Sequence, residues 1–399
     1  MVTTNCIRCL ICNHEYRLRI GVGYDSYQKH YFDCITCKSP IVIAVRAIPL
    51  QAYIEVVENS ELIKFTMEDL HHTIVNFHPN FSFNIFELHD PKVFVSMSLM
   101  RLISPFLRLS EKQVQDISTQ FDVPNAPNLW GLVKRIIIFS DEPYNKSQDK
   151  LLSSYIDQRK KNSITAKIED KHDIINEFFD SLFYPKITSL TNPVFSLIDS
   201  LHKDSKLDDF YVYYKNNIRL ENMERYITTF SDYFRFRDHF GQLVVFSRIS
   251  SDDVDDRIVG SKNFDEIKLY YGQVYESLTS NFVILACLFN IKSGRSFDTF
   301  KSMSLNKYIK DVEKAKKHQP FKDYGDFRNF IDGVDSSLRN GSHHASIWHD
   351  GELVMYRSGG TGERKQLTYS RYIHLCNQLS ISLAAIMLIE FYIQYKFEK

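Results

Sequence analysis

The chain has 399 residues, 44% of them hydrophobic, which is enough for two to four domains with packed cores. Lys plus Arg and Asp plus Glu balance at 49 each, which excludes a surface coated in positive charge but allows a local basic cleft. The chain opens without a charged-then-apolar leader, and its longest mostly apolar run, Leu379 to Ile389, is too short to cross a bilayer. We therefore expect a soluble, cytoplasmic protein.

Five of the seven cysteines lie within the first 37 residues. Cys9-x-x-Cys12 and Cys34-x-x-Cys37 form two pairs about twenty residues apart, and paired thiolates at that spacing can close a tetrahedral zinc site. Cys6-x-x-Cys9 is an equally spaced alternative to the first pair. We prefer Cys9 with Cys12 because the residues after Cys12 are typical of a turn. His14 and His30 are the weaker substitute ligands.

The residues between the two cysteine pairs alternate as in a half-buried strand, with Tyr16, Leu18, Ile20 and Val22 on one face. Tyr31-Phe32 is expected to begin a second strand, which leads to the other cysteine pair. Residues 1–45 therefore resemble a zinc ribbon, in which zinc has a structural role.

The central part of the chain carries no recognisable catalytic motif. Residues 46–150 mix strand-like and helix-like patterns and are interrupted by prolines, so we expect a mixed α/β region. Residues 151–255 are predominantly helical in pattern, with apolar stripes at helical spacing. The acidic, polar stretch 250–256 is interpreted as a linker to the next domain.

Residues 256–399 have the pattern of a helical bundle. We predict helices over Phe264–Ile291, Phe297–Lys317, Phe321–Leu338 and Tyr369–Phe397. Two turn signals within Ile347–Leu367 predict a β-hairpin inserted before the last helix. The fold class is therefore mainly α, with an N-terminal zinc ribbon, a mixed middle region and a C-terminal bundle that carries an inserted hairpin.

A short polar segment, residues 338–344, lies between the third and fourth predicted helices. Its sequence is Leu338-Arg339-Asn340-Gly341-Ser342-His343-His344, and Gly341 is a natural helix stop. Arg presents a planar fork of donors to phosphate oxygens, and His titrates near neutral pH. A solvated helix end would explain the same residues, since cations favour the C-terminus of a helix.

This segment resembles the signature of the HEPN superfamily, in which Arg is followed by a polar residue and then by His after four to six positions. Arg339 to His344 leaves four intervening residues, Asn340 is the polar neighbour, and His343 fits the spacing less well. HEPN domains are small helical bundles that carry this motif just after an inner helix. The resemblance covers roughly the last third of the chain, and the inserted hairpin departs from the shortest family members.

The resemblance implies a metal-independent endoribonuclease that acts on RNA, often as a toxin-like effector of bacterial antiphage defence. His344 would transfer the proton of the 2′-hydroxyl or of the leaving group, Arg339 would stabilise the phosphorane, and Asn340 would hold the Arg or the phosphate. Zinc would be held by Cys9, Cys12, Cys34 and Cys37, with no cofactor for catalysis. Family sites are commonly completed across a homodimer, so one chain would supply half a site.

A second hypothesis is a non-catalytic adaptor. The ribbon would then recognise nucleic acid or protein, and the bundle would dimerise. A third is that the motif arose by coincidence.

Overall fold

The computed structural model describes residues 2–23, 25–48, 51–64, 71–107, 123–139, 146–160, 168–259, 263–343, 346–358 and 362–398. Helices dominate, as the sequence predicts, and the strands form small sheets at the N-terminus and near the C-terminus. The mainly α fold class is therefore confirmed.

The N-terminal module consists of two facing sheets. Their strands are β1 (Val2–Cys9), β2 (Glu15–Gly21), β3 (Tyr27–Asp33), β4 (Pro40–Ile48), β5 (Gln51–Glu58), β6 (Ser60–Ile63) and β7 (Thr73–Phe77). One sheet has the order β6-β1-β2-β7, in which β7 runs parallel to β2, and the other is the antiparallel meander β3-β4-β5. The two faces enclose a core of their own, which includes Leu18 and Ile43. Residue 45 lies inside β4, so the β module extends well beyond the ribbon that the cysteine spacing predicts.

The elements between residues 83 and 138 join this module to the helical body. They include β8 (Phe83–Asn84), α1 (Ile85–Leu88), α2 (Val95–Ile103) and α3 (Ala126–Ile138). β8 pairs with β9 (Arg257–Ile258), which lies far along the chain. Asn84 caps α1 with its side chain, accepting from the backbone N–H groups of Phe86 and Glu87. This region is thus mixed α/β, and its strand β8 connects it to residues beyond 250.

The helical body is built around two long helices, α10 (Phe264–Lys292) and α14 (Tyr369–Glu398), which pack against each other. The other helices before α10 are α4 (Lys146–Lys160), α5 (Lys171–Phe183), α6 (Lys186–Lys203), α7 (Asp208–Asn217), α8 (Arg219–Arg235) and α9 (Arg237–Arg248). One hydrophobic cluster runs from Phe81 to Ile393 and includes residues from both halves of this body. The predicted helical region and the predicted bundle therefore share a single core.

The acidic stretch 250–256 does not separate two cores, so its interpretation as a linker is wrong. Arg371 on α14 forms ion pairs with Asp252 (2.8 Å) and Asp255 (2.7 Å), which dock the stretch on the last helix. Asp253 and Asp256 lie beside Arg257 instead, and Val254 between the aspartates is buried in the shared core.

The elements between α10 and α14 differ from the sequence-based expectation. They are α11 (Leu305–Asp311), α12 (Gly325–Arg328) and α13 (Ser336–His343), with 3-10 turns at Lys314–Lys316 and Asn329–Ile331. The predicted helix Phe297–Lys317 is therefore reduced to one short helix and a turn. The predicted helix Phe321–Leu338 is broken, because Gly333 has φ +80° and its backbone lies against α14. Apolar spacing alone does not reveal such a break.

The insertion before α14 is a three-stranded antiparallel sheet. Its strands are β10 (Ile347–Asp350), β11 (Leu353–Arg357) and β12 (Arg364–Thr368). The predicted hairpin is confirmed and gains a third strand. The turn signal at Gly359-Gly360 lies outside the described residues.

α10 and α14 are each long and apolar enough to cross a bilayer by length and composition. The apolar stretches that meet this criterion are 83% and 89% buried within the protein, as in the core helices of a soluble protein. Leu379–Ile389 is thus only the middle of a longer apolar helix, and the packing of that helix accounts for its hydrophobicity.

Candidate functional site

Two equivalent turns carry the N-terminal cysteines. Cys9 ends β1, and its carbonyl accepts from the N–H of Asn13, whose φ is +60°. Cys34 follows β3 in the same way, and its carbonyl accepts from the N–H of Lys38, whose φ is +61°. The second cysteine of each pair lies within its turn, so both turns present two thiols to the same point.

The four sulfur atoms form a compact cluster. The Sγ atoms of Cys9, Cys12, Cys34 and Cys37 all lie within 4.8 Å of one another. Two of the separations are 3.8 Å (Cys9 to Cys37) and 3.4 Å (Cys12 to Cys34). A tetrahedral zinc ion with Zn–S bonds of about 2.3 Å keeps its sulfurs about 3.8 Å apart. The cluster therefore has the donor set and the dimensions to bind a metal ion such as zinc.

The thiols differ in how readily they ionise. Burial opposes ionisation of Cys34, but hydrogen bonds from the N–H of Cys37 and the hydroxyl of Tyr16 outweigh it and lower the pKa of this thiol to about 6. A bond from the N–H of His14 favours the Cys12 thiolate, but desolvation and the neighbouring sulfurs raise its pKa to about 12. Four thiolates this close repel one another, and a bound cation offsets the repulsion between their negative charges.

Tyr16 supports the cluster from the side. Its buried hydroxyl donates to the Sγ of Cys34 at 3.0 Å and accepts from the N–H of Ile35 at 2.9 Å. Outer contacts of this kind orient metal ligands. The alternation of β2 predicts that Tyr16 points inward, but it does not reveal the bond to sulfur.

The alternative ligands lie elsewhere. Cys6 is buried within β1 and does not belong to the metal-binding group. Both ring nitrogens of His14 are within hydrogen-bond distance of hydroxyls, those of Thr73 (2.9 Å) and Thr36 (3.1 Å). His30 is 1% exposed and packs beside Phe77 in the core of the module. The geometry thus favours the four cysteines of the two Cys-x-x-Cys pairs as the metal ligands.

The Arg339 motif lies within a short helix rather than after the end of one. The Asp335 carboxylate accepts from the N–H groups of Ser337 (2.7 Å) and Leu338 (3.2 Å), as an N-cap does. Tyr271 on α10 donates to the carbonyl of Gly333 at 3.2 Å and accepts from the N–H of Asp335 at 3.3 Å. α13 is thereby held against the central helix of the body.

Gly341 is not the predicted helix stop, because it lies inside α13. A Cβ at this position would lie 3.4 Å from the Cβ of Ile347 and 3.5 Å from that of Tyr356. A Cβ would thus make ordinary van der Waals contact there, and the inserted sheet packs against α13 and covers one side of the motif.

Arg339 has two partners. Its Nε donates to Oε1 of Glu276 on α10 at 2.6 Å, its Nη2 also contacts that oxygen, and its Nη1 donates to Oδ1 of Asn340 at 2.9 Å. These bonds use three of the five N–H donors of a guanidinium. The Arg339 side chain is 29% exposed, so the remaining donors are within reach of a ligand.

A second cation stands beside the same carboxylate. Nζ of Lys314 lies 3.9 Å from Oε2 of Glu276 and donates to the hydroxyl of Ser280 on the same helix. Burial lowers the pKa of Lys314, and Glu276 partly opposes that effect. Within the group of Arg339, Lys314 and Glu276, two cations thus face one carboxylate. Glu221 and Arg225 also act on Lys314, and these two pair with each other.

His344 lies outside the described residues, so its distance from Arg339 is not part of this geometry. Ser342, two positions earlier, donates to the carbonyl of Leu338 at 2.9 Å and lies 3.2 Å from the hydroxyl of Tyr372 on α14. Of the three predicted catalytic residues, the structure therefore places Arg339 and Asn340 together. Sequence reasoning missed Glu276 and Lys314, because no local pattern connects them to the motif.

A Ser-His-Asp contact elsewhere has a structural role. Ser247 Oγ lies 2.9 Å from Nδ1 of His374, and Nε2 of His374 lies 3.7 Å from Asp252. Ser247 and His374 are buried, and burial lowers the pKa of His374 to about 4. A substrate has no access to this hydroxyl, so the contact joins α9 and α14 and is not a catalytic triad.

The comparisons with known proteins add no relative. No protein-family model matches the chain, and comparison with the curated proteins and with the solved structures finds no match. The resemblance to the HEPN superfamily therefore depends on the motif alone.

Proposed function

We propose that the chain is a metal-independent endoribonuclease of HEPN type, with Arg339, Asn340 and His344 as its catalytic residues. The observation that carries the proposal is the paired charge at the motif. Arg339 and Lys314 flank a single carboxylate, and Arg339 retains N–H groups that can donate hydrogen bonds to phosphate oxygens. A purely structural ion pair between α10 and α13 requires only one of these cations.

In the proposed reaction, the 2′-hydroxyl of RNA attacks the adjacent phosphorus while His344 transfers a proton. Arg339 stabilises the charge that develops on the phosphorane. Asn340 and Glu276 fix the plane of the guanidinium by the hydrogen bonds described above, which spares the site from reorganising as charge develops. The bond to the 5′-oxygen breaks, and the product ends in a 2′,3′-cyclic phosphate.

The assembly proposed is a homodimer in which two motifs face each other. Acid and base roles both need a proton-handling group, and one motif offers a single histidine at the family spacing. The cysteine cluster holds a structural zinc ion in this proposal, and the protein acts in the cytoplasm as a toxin-like effector of antiphage defence. Neither zinc nor another cofactor takes part in the cleavage.

The test is incubation of purified protein with total cellular RNA in EDTA. Wild type is compared with His344→Ala and with the neighbouring variant His343→Ala as a matched control. We expect cleavage by wild type, loss of most cleavage in His344→Ala and a smaller loss in His343→Ala. A substrate with 2′-deoxyribose at the scissile position is expected to resist. Cleavage that needs magnesium, or that survives in His344→Ala, would refute the assignment.

Absence of cleavage by every variant would favour the adaptor hypothesis. In an adaptor, the cysteine module recognises the partner and the helical body dimerises. Light scattering tests the dimer that both proposals require, since a strict monomer at working concentration contradicts the dimeric nuclease and the dimeric adaptor alike.

A further inference from the structure

A cavity lies at the C-terminal end of α10, away from the motif. Its volume is about 740 Å³, within the range of about 300–1,000 Å³ that is typical of small-molecule sites. The end of α10, the loop after it and the segment after α11 form its walls. None of Arg339, Asn340 and Glu276 lines it, so the cavity is distinct from the proposed catalytic site.

Aromatic rings form much of the wall. Phe289 and Tyr324 lie with their ring centroids 5.6 Å apart, and both are only partly buried. Phe300 and Tyr308 form a stacked pair at 4.6 Å and give the cavity a rigid side. Partly exposed aromatic rings are the usual platform for a planar base.

Polar groups of both signs surround these rings. Arg295, Lys301 and Lys316 line the cavity together with the carboxylates Asp311, Glu313 and Asp323, so the lining is electrically balanced. Glu313 pairs with Lys316 at 2.7 Å. A balanced wall with separate cations suits a ligand with one phosphate better than one with three.

One donor in the wall has no partner within the described part of the chain. Nη2 of Arg295 donates to Oδ1 of Asn290 at 3.0 Å, while Nε is shielded from solvent and makes no hydrogen bond with the described residues. Because Nε is out of reach of water, a ligand in the cavity meets Arg295 through the other nitrogens of its guanidinium. The guanidinium also lies over the ring of Phe289, 5.6 Å from the ring centroid.

The wall is also fixed in place. The buried Lys317 donates from Nζ to the carbonyl of Ile309 at 2.9 Å and to that of Tyr308, which closes the end of α11. The hydroxyl of Tyr308 donates back to the carbonyl of Lys317 at 2.6 Å. The cavity is thus preformed, which reduces the ordering that binding requires.

The same segment connects the cavity with the motif. Val312, Glu313 and Lys316 line the cavity, while Lys314 between them reaches Glu276 beside Arg339. Along α10, Glu276 and Asn290 are about 20 Å apart at 1.5 Å per residue. A ligand in the cavity therefore touches the turn that places Lys314 at the proposed catalytic site.

We infer that this cavity binds a nucleoside monophosphate, with its base against Phe289 and Tyr324 and its phosphate at Lys301 and Arg295. The group can belong to a free nucleotide or to one unit of an RNA strand, since both offer the same base and phosphate. The inference rests on the cavity alone and does not require the ribonuclease proposal to be correct.

The test is isothermal titration calorimetry of full-length His344→Ala protein, in which cleavage does not consume an RNA ligand if the proposed function is correct. The ligands are AMP, GMP, CMP and UMP, with adenosine, ATP and inorganic phosphate for comparison. We expect at least one monophosphate to bind about tenfold more tightly than adenosine, phosphate or ATP, a difference of about 1.4 kcal/mol. Single-stranded oligonucleotides with a 5′-phosphate form a second arm.

Two variants address the wall, each with a matched control. Tyr324→Leu removes a ring but keeps an apolar side chain, and we expect binding to weaken about five- to a hundredfold. Tyr392→Leu changes a partly buried tyrosine that lines another cavity and is expected to bind as before. Lys301→Ala is expected to weaken the monophosphate more than adenosine, whereas Lys322→Ala, on an exposed residue outside the lining, is not.

Competition separates the two sources of the ligand. Binding of a mononucleotide that an oligonucleotide does not displace supports a free nucleotide. Binding of oligonucleotides alone, weakened by Tyr324→Leu and Lys301→Ala, supports a unit of an RNA strand. The inference is overturned if neither class binds at millimolar concentration, if phosphate alone binds as tightly, or if both wall variants bind like wild type. If the cavity inference is overturned in one of these ways but the wild-type protein still cleaves RNA, the ribonuclease proposal is unaffected.

Discussion

Glu390 is a buried carboxyl whose environment predicts a pH-dependent stability. It lies on α14 with no exposed surface, and it accepts hydrogen bonds from Tyr214 (2.9 Å), Tyr226 (2.5 Å) and Asn222 (2.8 Å). Burial raises its pKa to about 7, and the three donors, which favour the charged form, only partly oppose that effect. The carboxyl therefore keeps its proton in the folded state at pH values where it loses it in the unfolded state.

The sign and size of the effect follow from linkage. The stabilising contribution is complete below the ordinary pKa of about 4.5 and is lost as the pH rises through the folded value of about 7. A shift of about 2.5 units corresponds to about 3 kcal/mol at about 1.36 kcal/mol per unit. With an unfolding entropy of about 2.1 cal/mol/K per residue over 399 residues, this is a change in Tm of about 4 °C.

The perturbation is Glu390→Gln, which keeps the shape and removes the charge. Gln keeps an oxygen that accepts from Tyr226 and Asn222, and its amide faces the hydroxyl of Tyr214 with a donor, as the protonated carboxyl does. Because part of the loss occurs below pH 5, we expect the Tm of wild type to fall by about 3 °C more than that of Glu390→Gln between pH 5 and pH 8. Thermal unfolding followed by circular dichroism measures this difference.

Glu398→Gln on the same helix is the matched control. Hydrogen bonds from His172 and Lys171, which outweigh the effect of partial burial, lower the pKa of Glu398 to about 2. The contribution of that carboxyl is present above its unfolded pKa and is lost only as the pH falls towards 2, so the carboxylate adds nothing to the slope between pH 5 and pH 8. An unchanged pH dependence in Glu390→Gln would refute the assignment of the slope to this carboxyl.

Two further predictions concern the metal cluster and the motif helix. Cys34→Ser is expected to abolish zinc binding and to unfold the β module, because such ions supply much of the folding free energy; metal analysis and limited proteolysis measure this, and Cys6→Ala should retain zinc. Full zinc content in Cys34→Ser would contradict the assignment. Gly333→Ala should lower the free energy of unfolding by about 1–2 kcal/mol, because φ is +80° and the new Cβ lies 3.1 Å from Oε1 of Gln378. Gly325→Ala, whose Cβ would have nothing within 4 Å, is the control, and equal effects on thermal unfolding would argue against strain at Gly333.

Local patterns in the sequence determined several features by themselves. Two Cys-x-x-Cys pairs at their spacing predict the thiol cluster, because each turn needs only neighbouring residues to present two sulfurs to one point. The long apolar repeats predict α10 and α14 almost to their ends, because a helix is specified by contacts three and four residues apart. The turn signals after the motif predict the inserted sheet in the same way.

Other features were decided only by the tertiary structure, because they depend on residues far apart in the chain. Glu276 meets Arg339 across 63 positions, and no spacing rule connects a carboxylate on one helix with a guanidinium on another. The predicted helix is interrupted at Gly333, which lies against α14, although the apolar residues on both sides continue the helical repeat. Residues 250–256 have the composition of a linker, yet Arg371 pairs with two of their four carboxylates and Val254 is buried in the core. The composition of a segment shows whether it can be exposed to solvent, but the packing of distant residues decides which groups it contacts.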